Sequence, residues 1–396
     1  MISAEMKAGL KAGSGIRDAF NEARRQKELY GENRVFDLSL GNPAALAPRR
    51  VRDILKALSA QEDLNHGYMC EAGYEEVRRS IAESLNRHHG TSYSEDNIVM
   101  TNGAAGGINV VFRALLDPGD EVVIFKPYYP SYVGFVKNWQ GKPVLVEPQE
   151  DFQPDLKELE AKISERTKAV IVNSPHNPTG VIYTEETIRG IADILKHAGE
   201  RYGHTVCLLS DEPYRDLVYD GTVLPWIPDY YDHTIVSYSF SKSLSLAGER
   251  IGYLLIPSVM EESDAVIRAV RMAMGRLGFV NAPAFFQRVT GACVNETVDL
   301  EYYAKNRKLL LTALQQYGYE CAEPQGAFYV FVKVPDGDEQ HFMKLAEKRH
   351  LIFVAGSSFG MPGYVRISFC GSHSVLENAT PALKLLAEDC GISENS

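Results

Sequence analysis

Ala169-Val-Ile-Val-Asn173-Ser-Pro-His-Asn177-Pro-Thr-Gly180 sets the architecture of this chain. An unbroken apolar run is followed at once by a turn rich in proline and glycine, and a helical pattern, Glu185–His197, comes next. An apolar run without polar alternation marks a strand covered on both faces, and such strands belong to parallel sheets flanked by helices. The same rhythm extends outward. Strands are expected upstream at Ile98–Thr101, Glu121–Phe125 and Pro143–Val146, and downstream at Thr205–Ser210, Thr234–Ser239 and Ile251–Ile256. Gly106–Leu116 and Leu156–Ile163 read as helices between the earlier ones. The pattern predicts an α/β layer built on a mostly parallel seven-stranded sheet.

Near residue 290 the rhythm changes. A long helix at about Asp299–Tyr317 precedes Ala327–Val332, His341–Lys348, Leu351–Val354, Tyr364–Phe369 and Val375–Glu388, which read as a smaller α+β domain. Residues 2–30 read as helical, with apolar positions at Ile16, Ala19, Phe20 and Ala23, and are expected to pack on something, a neighbouring subunit being one choice. The expected division is an N-terminal arm with part of the small domain at 1–45, a large domain at 46–290 and the small domain at 291–396.

The 396 residues carry a formal net charge of -11, with no basic run, which argues against a nucleic-acid surface. Apolar runs are too short to span a bilayer. The charged start (Lys7, Lys11, Arg17, Asp18, Glu22, Arg24, Arg25) does not read as a secretion signal. Cys70, Cys207, Cys293, Cys321, Cys370 and Cys390 are scattered without a C-x-x-C pair, so reduced thiols in a cytoplasmic protein are expected, with no metal site.

Four stretches carry chemistry. In Ser237-Tyr-Ser-Phe-Ser-Lys242-Ser-Leu-Ser-Leu-Ala-Gly-Glu-Arg250 a lysine leaves a strand end among serines, with an arginine eight residues on. Hydroxyls and a guanidinium suit a phosphate-like anion, and a lysine beside them can form an imine with an aldehyde. Read alone, this is also a solvated lysine in a serine-rich loop. Asn177 presents an amide at a strand's carboxyl end, where open α/β sheets bind ligands, although an ordinary strand-to-helix turn looks the same. Asp211, in Ser210-Asp211-Glu-Pro-Tyr214, can pair with a protonated ring nitrogen, and Tyr214 with a phenolic oxygen; the plain alternative for Asp211 is a helix cap. Thr101-Asn-Gly103-Ala104-Ala105 joins a strand to a helix with small residues, so backbone N–H groups can approach an anion. It is neither a dinucleotide fingerprint nor a Walker loop.

Taken in order, these segments resemble the class I, aspartate aminotransferase-like enzymes of the fold type I pyridoxal-phosphate superfamily. The resemblance runs from Leu38-Ser-Leu-Gly41-Asn-Pro43 to Tyr364-Val-Arg366-Ile-Ser368. It implies pyridoxal 5′-phosphate as cofactor, with Lys242 as the Schiff-base lysine and proton shuttle. It implies Asp211 on the pyridine nitrogen, and Tyr214 and Asn177 on the ring oxygen. Gly103, Ala104, Ala105, Ser239 and Arg250 would hold the phosphate, and Tyr129 would stack on the ring. Arg366, with Asn177 and the backbone of Gly41, would grip the substrate carboxylate. Tyr68 and Asn281 would reach the phosphate of the other subunit, which implies a homodimer with shared active sites. The activity so implied moves an amino group between an L-amino acid and a 2-oxo acid by ping-pong kinetics.

Two rivals are weighed against it: a β-eliminating C–S lyase of the same superfamily, which would share Lys242, Asp211, Arg366 and His176, and a non-catalytic coenzyme-binding regulator. A nicotinamide dehydrogenase would need a glycine fingerprint that is not found. A dicarboxylate substrate calls for a further cation, for which Arg271 and Arg276 are the candidates.

Overall fold

The computed structural model describes residues 1–12 and 15–392. After a two-residue strand β1 (Phe36–Asp37), the strands β2 (Ile98–Thr101), β3 (Glu121–Phe125), β4 (Lys142–Val146), β5 (Thr167–Asn173), β6 (Cys207–Asp211), β7 (Thr234–Ser239) and β8 (Gly252–Leu255) follow in turn. β2 to β8 form one seven-stranded sheet in the order β2-β8-β7-β6-β5-β3-β4. The pairings β3–β4, β3–β5, β5–β6 and β6–β7 are parallel, and β8 runs antiparallel to both β2 and β7. Six strands therefore point one way, in agreement with the mostly parallel sheet expected.

The physical cause lies in the strand sequences. Val170 and Val172 of β5 pack on one face with Ile188, Ile191 and Leu195 of the helix Glu185–Tyr202. Ala169 and Ile171 pack on the other with Ile108, Val111 and Phe112 of the helix Gly103–Leu115. Successive side chains of a strand alternate between faces, so a strand between two helical layers must be apolar at every position. Each buried valine or isoleucine among them stabilises the fold by about 1.5–3 kcal/mol relative to exposure.

The later strands are β9 (Tyr329–Lys333), β10 (Leu351–Ile352), β11 (Val354–Ala355) and β12 (Tyr364–Ser368). β11, β12 and β9 form an antiparallel sheet, whereas β10 pairs in parallel with β1. The single strand expected at Leu351–Val354 is thus two short ones that change partners at Phe353. The strand expected from Ala327 begins at Tyr329, because Ala327 takes a left-handed φ of 57°.

The helix expected over 2–30 is two helices, Ala4–Ala12 and Gly15–Tyr30; Gly13 and Ser14, like residues 393–396, lie outside the described residues. The second helix buries Ala19, Ala23 and Gln26, spaced four and three apart, and Phe20 is exposed because it sits about 100° round the helix from Ala19. Its buried face rests on its own chain, where Ala19 and Ala23 join the cluster containing Ile352 and Val354.

Candidate active site

Parallel register brings chemistry to one edge. Asn173 pairs with Asp211, and Asp211 with Ser237, so the carboxyl ends of β5, β6 and β7 stand side by side. β2 ends at the same edge, since β2 and β7 are both antiparallel to β8. A cavity of about 280 Å³ opens there, lined by Gly41, Ala104, Ala105, Tyr129, Asn177, Asp211, Tyr214, Ser239, Lys242, Arg250 and Arg366, all expected from sequence.

Lys242 sits on a single helical turn, Phe240–Ser243, capped by the Ser239 hydroxyl, which accepts from the Ser241 N–H. Its Nζ donates to the Gly41 carbonyl at 2.5 Å. Burial draws the amine down to about 8, and the Arg366 and Arg250 guanidiniums act in the same direction, whereas Cys370 opposes it.

Asp211 ends β6. Its Oδ2 accepts from the Tyr132 hydroxyl at 2.5 Å, and its buried Oδ1 has no protein partner. Burial raises the carboxyl to about 7; the Tyr132 bond lowers it and Glu212 raises it. A buried carboxylate without a cation is costly, so this environment suits a ligand that brings a positive N–H.

Arg366 is 2% exposed and forms no ion pair among the described residues. Nη1 donates to Asn177 Oδ1 at 2.9 Å and Nη2 to the Ser39 carbonyl at 2.6 Å, while Nε is buried without a partner. The rings of Tyr329 and Phe359 lie 4.3 and 4.9 Å from its guanidinium carbon. A buried guanidinium with donors to spare is a receptor for a carboxylate.

Across the cavity, the helix Gly103–Leu115 begins without a side-chain cap, and the Asn102 Oδ1 is also unpartnered. Arg250 lies beside it: a β-carbon on Gly103 would come 2.6 Å from Nη2. Arg250 also donates to the Ser241 hydroxyl (3.4 Å) and the Ala247 carbonyl (2.9 Å), and Ser239 and Ser241 share a hydrogen bond of 2.7 Å. Uncapped N–H groups, hydroxyls and a guanidinium without a carboxylate partner among the described residues are the donor set of a phosphate.

Tyr68 and Asn281 do not line this cavity. Tyr68 is 92% exposed, and the Asn281 amide donates to the Ala282 carbonyl. Neither Arg271 nor Arg276 lines it; Arg271 is ion-paired with Glu71 at 2.7 Å. Sequence reasoning missed Tyr132, Tyr329, Asn173, Ser241 and Ile16. Tyr132 stood inside the segment already singled out for Tyr129, and Asn173 amide donation to the Asp211 carbonyl (2.8 Å) is fixed by strand register. Tyr329 gave no signal beyond an aromatic in an apolar strand.

The donor set, the unpartnered carboxylate oxygen and the lysine together fit a phosphorylated aromatic aldehyde with a basic ring nitrogen. Comparison with known proteins points the same way. Residues 33–383 match the family described as aminotransferase class I and II. An aspartate aminotransferase of Thermotoga maritima is 32% identical, over 88% of this chain and 89% of its own. A solved aminotransferase from Eubacterium rectale superposes with a TM-score of 0.94 at 40% identity, covering 98% of this chain and 99% of that one. Aspartate aminotransferase from Thermus thermophilus with maleate gives 0.85 at 26% identity, covering 98% and 100%.

Proposed function

Because the chain belongs to the class I and II aminotransferases, a family dependent on pyridoxal phosphate, we propose that it holds that coenzyme on Lys242 and shuttles amino groups between an amino acid and a 2-oxo acid. One observation carries this reading: an amine at Lys242, an unpartnered carboxylate oxygen at Asp211 and an unpaired guanidinium at Arg366 line one small cavity. The C–S lyase and the non-catalytic regulator are not favoured, since the relatives are named as aminotransferases.

Gly103, Ala104, Ala105, Ser239 and Arg250 would hold the phosphate, and Tyr129 would cover the ring face. Asp211 Oδ1 would accept the ring N–H, while Tyr214 and Asn177 would face the ring oxygen. When bound, the coenzyme supplies an aldehyde that captures an amino group and a cationic ring that withdraws electrons from the substrate Cα. Arg366 binds the substrate carboxylate through its fork, with Asn177 and the Gly41 backbone beside it, and so fixes the Cα relative to Lys242. Lys242 Nζ would take the Cα proton and return one two bonds away, to the carbon that the coenzyme's aldehyde contributes. A lysine drawn down to about 8 is a usable base near neutrality, and such catalysis contributes about 10²–10⁴-fold. Asp211 keeps its negative charge opposite the ring nitrogen throughout.

The finer reading is an aspartate aminotransferase-like enzyme, which the names of the curated relatives support. It is also a homodimer, in which the exposed Tyr68, with Asn281, completes the phosphate site of the second copy. Six unpaired cysteines support a reducing, cytoplasmic setting.

The test is Lys242→Ala. Transamination is expected to vanish, and borohydride treatment to leave no coenzyme mass on the peptide that carries residue 242. Turnover in that variant, or release of ammonia without an oxo-acid acceptor by the parent enzyme, would refute the reading.

A further inference from the structure

Two phenols face each other in the cavity. The hydroxyls of Tyr214 and Tyr329 are 3.1 Å apart, and their rings meet edge to face at 5.8 Å and 82°. Both are buried, and among the described residues neither hydroxyl has another hydrogen-bond partner. A phenol has one proton to donate and lone pairs to accept with. A facing pair therefore makes one mutual bond and leaves one proton over for something else.

The surroundings decide which proton is left. The Arg366 guanidinium lies over the Tyr329 ring at 4.3 Å, and a cation there stabilises the phenolate form. Burial raises both phenols and Arg366 opposes the rise at both, but its guanidinium sits on the ring face of Tyr329, which makes Tyr329 the more acidic of the two. The more acidic phenol is the better donor. The packing is built around this hydroxyl, because a β-carbon at residue 41 would fall 1.9 Å from it, so only glycine leaves it room.

We propose that Tyr329 is a positioning residue for Tyr214: its hydroxyl donates to the Tyr214 oxygen, which turns the Tyr214 proton toward the coenzyme ring oxygen, while its ring face carries the Arg366 guanidinium. The proposal rests on the reading of Lys242 as the coenzyme lysine and Tyr214 as the residue opposite the ring oxygen. A donor that itself accepts a hydrogen bond donates more strongly. Donation to the ring oxygen favours its anionic form, and so favours loss of the proton from the nitrogen that joins lysine to coenzyme. Removing the Tyr329 hydroxyl weakens that donation and raises the pH at which the proton is lost.

The measurement is a pH titration of the visible absorption of the resting holoenzyme, in the parent protein, Tyr329→Phe, Tyr214→Phe and the double variant. Tyr329→Phe keeps the ring, hence the packing and the Arg366 contact. Its midpoint is expected to rise by about 0.5–1 pH unit with the substrate KM unchanged. Tyr214→Phe is expected to rise further, and the double variant to match it. Tyr329→Leu, which removes the ring, adds a KM increase of about tenfold. An unmoved or lowered midpoint in Tyr329→Phe overturns the proposal, as does a KM increase alone, which would assign the hydroxyl to the substrate carboxylate. Additive shifts in the double variant also overturn it. If the parent protein shows no titrating band and borohydride leaves Lys242 unmodified, the coenzyme assignment itself has failed, and the pair with it.

Discussion

Asp211 is placed at a cost that only a ligand relieves. Folding moves its carboxyl from 3.8 up to about 7 because burial penalises the anion. A carboxyl raised in this way is best tolerated protonated, so its contribution to folding is most favourable below about pH 4 and is lost as the pH rises through 7. Asp211→Asn removes the charge while preserving an acceptor for the Tyr132 hydroxyl. The coenzyme-free variant is therefore expected to melt a few degrees above the coenzyme-free parent, with the gap opening between about pH 4 and 7 and constant above that. With coenzyme the order should reverse, since a neutral amide lacks the negative charge that stabilises a protonated ring nitrogen, and coenzyme affinity should fall about tenfold or more. Scanning calorimetry with and without coenzyme across this range checks both signs. Equal melting temperatures without coenzyme at neutral pH would mean that Asp211 already has a partner.

At the scale of elements, the turn from β2 into the helix Gly103–Leu115 combines two demands at one residue. Gly103 has φ +73°, and a β-carbon there would press on Arg250. Gly103→Ala is thus expected to cost about 1–2 kcal/mol of stability from the backbone alone. Displacing the Arg250 guanidinium should also weaken coenzyme binding, read as a higher Kd in fluorescence titration at unchanged subunit fold. Native coenzyme affinity in this variant would remove both the helix N-terminus and Arg250 from the phosphate site. What the sequence discloses at this scale follows from local physics. Buried parallel strands announce themselves as apolar runs, and β2, β3 and β7 begin and end where those runs do. The helix expected to stop at His197 continues to Tyr202, because the stop is Gly203 in the left-handed conformation, not a change in polarity. The exchange of partners between β10 and β11 is invisible locally, since both are apolar and only the distant strands β1 and β12 decide it. The site divides in the same way. Lys242, Asp211, Asn177 and Arg366 are polar residues at the ends of or within apolar runs, and so stand out. Tyr132 and Tyr329 meet their partners across 79 and 115 residues, and along the chain an aromatic is indistinguishable from core.

At the scale of the molecule, the donors that line the cavity come from one chain, yet Tyr68 is not among them and stands 92% exposed. Tyr68 is a large aromatic exposed on a loop that the Arg271–Glu71 ion pair ties to the helix Ser263–Arg276. The reading that it serves a second copy can be separated from a local role by complementation. Lys242→Ala is inactive in its own site, and Tyr68→Ala is expected to lose activity about tenfold or more through weakened hold on the phosphate. When the two variants are unfolded together and refolded in equal amounts, half of the dimers are mixed. In each mixed dimer one site has both an intact Lys242 and an intact partner tyrosine. Activity should then return to about one quarter of the parent level per chain, above either variant alone. If Tyr68 acted on the site of its own chain, every site in the mixture would lack one residue or the other and no recovery would be seen.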